Sequence, residues 1–265
     1  MLNSYMQADL SKVNLGGIDL KHNANLGEPE STIWGLDFDE INDHLVIPDD
    51  PTLDFPTTLT LMACVSPTVL HTPTQSFWPT IISKKANTTW TSPYARYNLR
   101  LSALDGNVFQ FWTQQFTGRD VEGTTAVVAN GWYWPSATYD SGDGVERINL
   151  NAVEENTKTV GGTINDSTRA LAIGSHGTGG NIGELWKGIM DKVLIFNSRL
   201  SLVDQLNIIN GIVDPRTFSS LALYIDFSRG SGTALNTIVY DKSSNNNNGA
   251  MQGFSGTPWI NIGIR

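Results

Sequence analysis

A single cysteine, Cys64, in 265 residues leaves no intramolecular disulfide to form. That excludes the stapled scaffold of many small secreted domains. Cys64 stands in the apolar run TLTLMACV, where a thiol reads as a buried packing residue rather than a nucleophile. Clusters of Lys and Arg are also missing, and the formal net charge is −9. The attraction that dominates nucleic-acid and anionic-membrane affinity is therefore lacking, so no nucleic acid is expected as a partner. Membrane insertion is not expected either, because no apolar run approaches the roughly 18 residues that span a bilayer. The opening MLNSYMQADLSK has neither the basic nor the apolar region of a signal peptide, which predicts synthesis in the cytoplasm without one. HExxH, CxxC and phosphate-loop motifs are absent, and the glycines of GTGGNIG follow a strand without opening a helix.

What is present is apolar and aromatic. Apolar residues make up 40% of the chain, with eight Trp, ten Phe and seven Tyr, enough for a large core. They fall in short runs rich in β-branched and aromatic residues: HLVIP, TLTLMACV, TIISK, YNLRLSAL, NVFQFWTQQF, AVVANGWYW, ERINLNAV, ALAIGS, KVLIFNS and LALYIDFS. Turn residues such as PDDP, SGDG and SHGTGG punctuate them. Many strands without intervening helices predict an all-β, two-sheet antiparallel sandwich. In NLRLSALDGNVFQFW, two alternating runs flank Asp-Gly-Asn, a hairpin signal because glycine supplies the positive φ. One short helix is expected near 202–212, capped by Ser201 with Asp204 three residues on. Leu202, Leu206, Ile209 and Val213 recur at helical spacing and read as its packing face.

Four stretches, in order, resemble the laminin-G-like domains of the concanavalin A-like lectin/glucanase superfamily. They are WGLDFDEINDHLVIPD; TIISK with the hairpin after it; NGWYWPSATYDSGDGVERINLNAVEENT; and LAIGSHGTGGNIGELWKGIMDKVLIFNSRLS. The match covers roughly residues 33–212. It implies a jelly-roll with one concave sheet, and members that either bind glycans or, in a minority, cleave polysaccharides. The chain departs from the family at Glu40 and at Asn151-Ala152, where members usually carry glycine, so these turns are expected to differ while the fold stands.

A retaining glycosidase needs two carboxylates about 5 to 5.5 Å apart. The resemblance would place them on one strand as Glu-x-Asp-x-Glu, and no such triplet exists here. Asp37 and Asp39 share a strand face and read as strand-end and loop carboxylates; Glu154 and Glu155 read as a solvated turn. The Gln-x-His element of alginate-lyase relatives is also missing, and His22, His44, His71 and His176 all read as loop residues. A non-catalytic glycan-binding or adhesion module is therefore the expectation, the alternative being a diverged polysaccharide hydrolase or lyase on the concave sheet.

Sugar C–H faces stack on aromatic rings while hydroxyls need planar polar partners. Trp78, Trp90, Trp134, Tyr94 and Arg96 are the candidate ligand-binding residues, whereas Trp112 and Trp132 read as core packing and Arg100 as a surface charge. Calcium is the one cofactor suggested, since loops of Asp, Ser and Asn offer oxygen ligands. The resemblance points to Asp19 or Asp241 together with Asp191, and Asn23 and Asn245 lie in the same loops.

The block ADLS…DLKHNANLG…TIW at residues 8–34 repeats as IDFS…DKSSNNNNG…TPW at residues 225–259. The resemblance gives a jelly-roll one slot for that strand. Residues 1–216 therefore read as the sandwich and 217–265 as an extension that packs on it or on a neighbouring subunit by strand addition, since an apolar edge strand invites pairing. Together these features predict a glycan-binding component of a virion-type or other extracellular surface assembly.

Overall fold

In the computed structural model, which describes residues 32–72, 78–86, 94–113, 120–179, 182–228 and 238–264, the chain forms two antiparallel sheets of eight strands each. The strands are β1 (Thr32–Asp39), β2 (His44–Ile47), β3 (Thr58–Pro67), β4 (Thr80–Lys85), β5 (Ala95–Ser102), β6 (Val108–Thr113), β7 (Val121–Glu122) and β8 (Pro135–Asp140). They continue as β9 (Val145–Leu150), β10 (Val153–Thr159), β11 (Leu171–Ile173), β12 (Lys187–Phe196), β13 (Leu221–Asp226), β14 (Ile238–Val239), β15 (Gly249–Gln252) and β16 (Trp259–Ile264). One helix among the described residues, α1 (Leu202–Ile209), links β12 to β13. Sheet A runs β10-β9-β8-β3-β12-β1-β16 with β13 also on β12; sheet B runs β14-β15-β2-β11-β4-β5-β6-β7. This is a jelly-roll sandwich. No helix among the described residues is long and apolar enough to cross a membrane.

The two-residue period of each strand builds the core. Leu59, Leu61, Ala63 and Val65 of β3 and Val193 and Ile195 of β12 face Tyr97, Leu99 and Leu101 of β5 and Phe109 and Phe111 of β6, all buried in one cluster. Cys64 has the opposite parity on β3 and is buried. The hairpin forms as expected, with Gly106 at φ 85° and Asn107 at φ 61°. Glu40, Asn151 and Ala152 also sit at positive φ, 67°, 51° and 61°. The turns that lack the family's glycines thus keep a glycine-like backbone, contrary to expectation.

The strand slot beside β12 is filled twice over its length. On one side β12 pairs with β3. On the other, β1 covers its first half, with Phe38 opposite Gly188, and β13 covers the second, with Ile225 opposite Val193. The C-terminal block supplies β13, adds β15 to the edge of β2, and returns as β16 along the first half of β1. Its Asn-rich loop is held by Asp241, whose carboxylate accepts hydrogen bonds from the backbone N–H groups of Tyr224, Ser243 and Asn247 and from Ser243 Oγ. The described part of this block therefore pairs within its own chain; of the N-terminal copy, residues 8–31 lie outside the described residues and residues 32–34 begin β1.

Two expectations fail in instructive ways. AVVANGWYW is mostly loop, joined to β3 by a Tyr133–Val65 bridge and by the Asn130 N–H, which donates to the Pro67 carbonyl at 2.7 Å, and Trp132 is 41% exposed rather than core. The helix turns a different face inward: Gln205 and Ile208 are buried, while Leu202 and Leu206 are 38% and 45% exposed. Ile208 packs on Met62, Leu194 and Phe196 of sheet A. Gln205 is accommodated because its Oε1 accepts from Ser136 Oγ at 2.6 Å and its Nε2 donates to the Leu200 carbonyl at 3.2 Å.

Candidate functional site: the outer face of sheet B

Because Tyr97, Leu99 and Leu101 point inward, strand alternation sends Asn98 and Arg100 of β5 to the outer face of sheet B, with Gln110 and Trp112 of β6 beside them. The register lines up one row across the sheet. Ala250 pairs with Val46, Val46 with Ala172, Ala172 with Ser83, Ser83 with Asn98, and Asn98 with Trp112. Five small or medium side chains thus run up to a tryptophan wall.

Arg100 organises the upper part of this face. Its Nε donates to Gln110 Oε1 at 2.5 Å and its Nη2 to Asp120 Oδ2 at 3.0 Å. Its guanidinium carbon lies 5.1 Å from the ring centre of Trp78 and 5.8 Å from that of Trp112, within the range of cation–π attraction. Tyr94 meets Trp112 edge-on at 6.5 Å, and His176 does so at 6.4 Å. The His176 Nδ1 is 2.8 Å from Glu184 Oε2, which in turn lies 3.9 Å from Arg100 Nη1. Gln110 passes the network on to Glu122 at 2.9 Å. Burial pushes the Glu122 carboxyl up from its ordinary range, and Asp105 adds to this.

Several polar atoms on this face are buried without a hydrogen-bond partner: both amide atoms of Asn98, Ser83 Oγ and Trp112 Nε1. A buried polar atom left without any partner, water included, costs about 1–3 kcal/mol. All of these atoms are enclosed, Ser83 and Asn98 completely and Trp112 nearly so, and a sugar hydroxyl reaches them only when the groups covering this face move aside.

Of the residues expected at the site, Trp78 and Tyr94 belong to this face, while Arg96 is the bulged residue between Ala95 and Tyr97, with Asp166 and Asp54 as the charges acting on it. Trp134 does not belong to this face; it packs beside α1 on sheet A. Trp90, Asp19 and Asn23 lie outside the described residues. Arg100, read as a surface charge, is buried, and Trp112, read as core, is buried on the outer rather than the inner face. Asn98 and Glu184 are not among the residues the sequence points to, and His176 reads there as a loop residue. The available signal is the polar parity Asn98-Arg100 inside YARYNLRL.

Several other carboxylates hold local structure. Asp39 Oδ1 accepts from the N–H groups of Ile41 and Asn42 and holds the turn after β1. Asp37 is raised above its ordinary range by burial, against the pull of Lys187. His44, expected in a loop, opens β2 and is buried. Asp191 pairs with Lys192 at 2.5 Å, and Asn245 donates its amide to the carbonyls of Leu221 and Ala222. Among the described residues no group of three or more His, Cys, Asp or Glu side chains is placed to hold a metal ion.

The comparisons with known proteins match the fold. A crystal structure of a Bacteroides ovatus protein described as a candidate carbohydrate-binding protein superposes with a TM-score of 0.66 at 17% identity, over 90% of this chain and 62% of that one. The chain thus spans less than two thirds of that protein. A heptameric pentraxin of Limulus polyphemus superposes with a TM-score of 0.51 at 13% identity, over 68% of this chain and 83% of that one. No curated protein matches the sequence. The laminin-G family profile matches residues 39–204, which is more than half of the chain, and this protein belongs to the concanavalin A-like lectin/glucanase superfamily.

Proposed function

We propose that this protein binds glycans without cleaving them, and that the outer face of sheet B around Arg100 is the binding surface. The observation that carries the reading is the guanidinium of Arg100 between Trp78 and Trp112, beside the unpartnered amide of Asn98. Tyr94, 41% exposed, and the partly exposed Trp78 offer ring surface to the C–H side of a sugar, and the enclosed amide, hydroxyl and indole N–H take its hydroxyls once the groups covering them open. Membership of a superfamily of lectins and glucanases supports a carbohydrate ligand, as does the carbohydrate-binding description of the Bacteroides ovatus protein. Of the acids best placed in sequence for cleavage, Asp39 is engaged in holding the turn after β1, which favours binding over hydrolysis.

A glycan array run with and without calcium tests the ligand class, with release of reducing or unsaturated sugars from a polysaccharide panel assayed in parallel. Binding without product release is expected. Product release abolished by Asp37→Asn or Asp39→Asn would overturn the reading. The same proposal places the module in a multisubunit, virion-type surface structure, because the chain carries two copies of a block of which one already fills the slot beside β12. Light scattering is expected to give a mass above that of the monomer; a monomer at all concentrations would refute that part.

A further inference from the structure

Sheet A carries a second concavity, on the side of the sandwich opposite the Arg100 face. It is a pocket of about 950 Å³ between the end of α1 and the outer faces of β12 and β13. That volume lies in the range of sites that enclose small ligands. Its aromatic walls are Trp134, fixed by donation of its backbone N–H to Asn151 Oδ1 at 3.0 Å, and Tyr224. Polar groups reach in from three directions: Lys192 from β12, Asp226 from β13, and Lys242 from the Asn-rich loop.

The charges at this pocket cancel in pairs. Lys242 Nζ is 2.5 Å from Asp226 Oδ2, Lys192 Nζ is 2.5 Å from Asp191 Oδ2, and Arg216 Nη2 is 2.5 Å from Asp214 Oδ2. Burial works against the charge on Asp226, but hydrogen bonds from Lys242 and Ser228 outweigh it and hold the carboxyl at about 2. Asp226 is therefore a constant acceptor. A phosphate, sulfate or carboxylate would find no surplus cation here. A neutral polyhydroxyl ligand would find paired donors and acceptors beside two aromatic rings, and oppositely charged pairs can each lend one partner to a hydroxyl without leaving a bare charge.

We infer that this pocket is a second carbohydrate site, selective for neutral oligosaccharides, with Trp134 as its stacking platform. It stands on residues separate from the Arg100 face and does not depend on that face being a site.

The test uses the full chain grown with 5-fluorotryptophan, its fluorine resonances assigned through Trp134→Phe and Trp112→Phe. Neutral gluco-, xylo-, arabino- and galacto-trisaccharides are titrated, with sialyllactose as the anionic comparison. A saturable shift of the Trp134 signal with at least one neutral trisaccharide is expected, weakened about tenfold in Tyr224→Ala or Lys242→Gln, in line with the loss of one ring contact or charge-assisted bond. A Trp134 signal that moves with none of them, or only with sialyllactose, would overturn the inference. Movement at Trp112 alone would sink this pocket and leave the Arg100 face standing; movement at Trp134 alone would do the reverse.

Discussion

The guanidinium of Arg100 stands 5.1 Å from the ring centre of Trp78 while its Nη2 donates to Asp120, so one buried cation joins an aromatic surface to an acidic one. Lysine at this position would keep the charge but not the planar stacking or the fork of donors. Arg100→Lys is expected to lower glycan affinity about tenfold, as loss of a desolvated cation–π contact would. Isothermal titration against the best array ligand measures it, with circular dichroism confirming an intact sandwich.

Glu146 of β9 makes stability fall with rising pH. Its Oε1 accepts from both the N–H and the Oγ of Thr113 on β6, at 2.7 and 2.6 Å, tying sheet A to sheet B. Burial nonetheless lifts the carboxyl from an ordinary value of 4.5 to about 8. Because the folded value lies above the unfolded one, the contribution is fully present below 4.5 and is lost as pH climbs through 8. A decrease of a few kcal/mol across that window is expected from the proton-linkage relation. Glu146→Gln should flatten the profile and melt higher than the native protein at pH 9; an unchanged slope of melting temperature against pH would contradict this.

Ala152 occupies a left-handed conformation at φ 61°, which costs an L-residue about 1–2 kcal/mol. Ala152→Gly removes that cost and adds some chain entropy to the unfolded state, so a net gain of about 0.5–1 kcal/mol is expected in urea denaturation. Glu40→Gly at φ 67° should gain less, because it also deletes the 2.8 Å contact between Glu40 and His71.

Asp241 anchors the Asn-rich loop through backbone donors. Asp241→Ala strands the N–H groups of Tyr224, Ser243 and Asn247. A loss of about 3 kcal/mol or more is expected, since hydrogen bonds to a charged acceptor are each worth about 1.5–3 kcal/mol. The native protein should unfold at the same denaturant concentration with calcium or with chelator; a calcium-dependent shift that vanishes in Asp241→Ala would show a metal at this loop instead.

Period-two alternation made the sandwich and its hairpin legible in the sequence, because apolar parity in TLTLMACV and NVFQFW leaves one inward face for each strand. The same rule does not say how deeply the outward face is covered. Arg100 and Trp112 therefore read in the sequence as surface and core, whereas both are buried on the outside of sheet B. The helix misled for a related reason. Leu202 and Leu206 are spaced as a packing face, but the Ser136 hydroxyl on β8 made it favourable to bury Gln205 instead. Trp134 lies beyond any sequence period, since its pocket is assembled from β12, β13, α1 and a loop far apart in the chain.

Asn98 offers the most direct measurement. Its amide is buried between Ser83 and Trp112 on the outer face, with neither atom hydrogen-bonded. Held for a ligand, it burdens the empty protein; Asn98→Leu, of similar shape, should raise unfolding free energy by about 1 kcal/mol or more while glycan affinity drops at least about tenfold. A variant that is less stable than the native protein yet binds glycan equally well would contradict the assignment of this face.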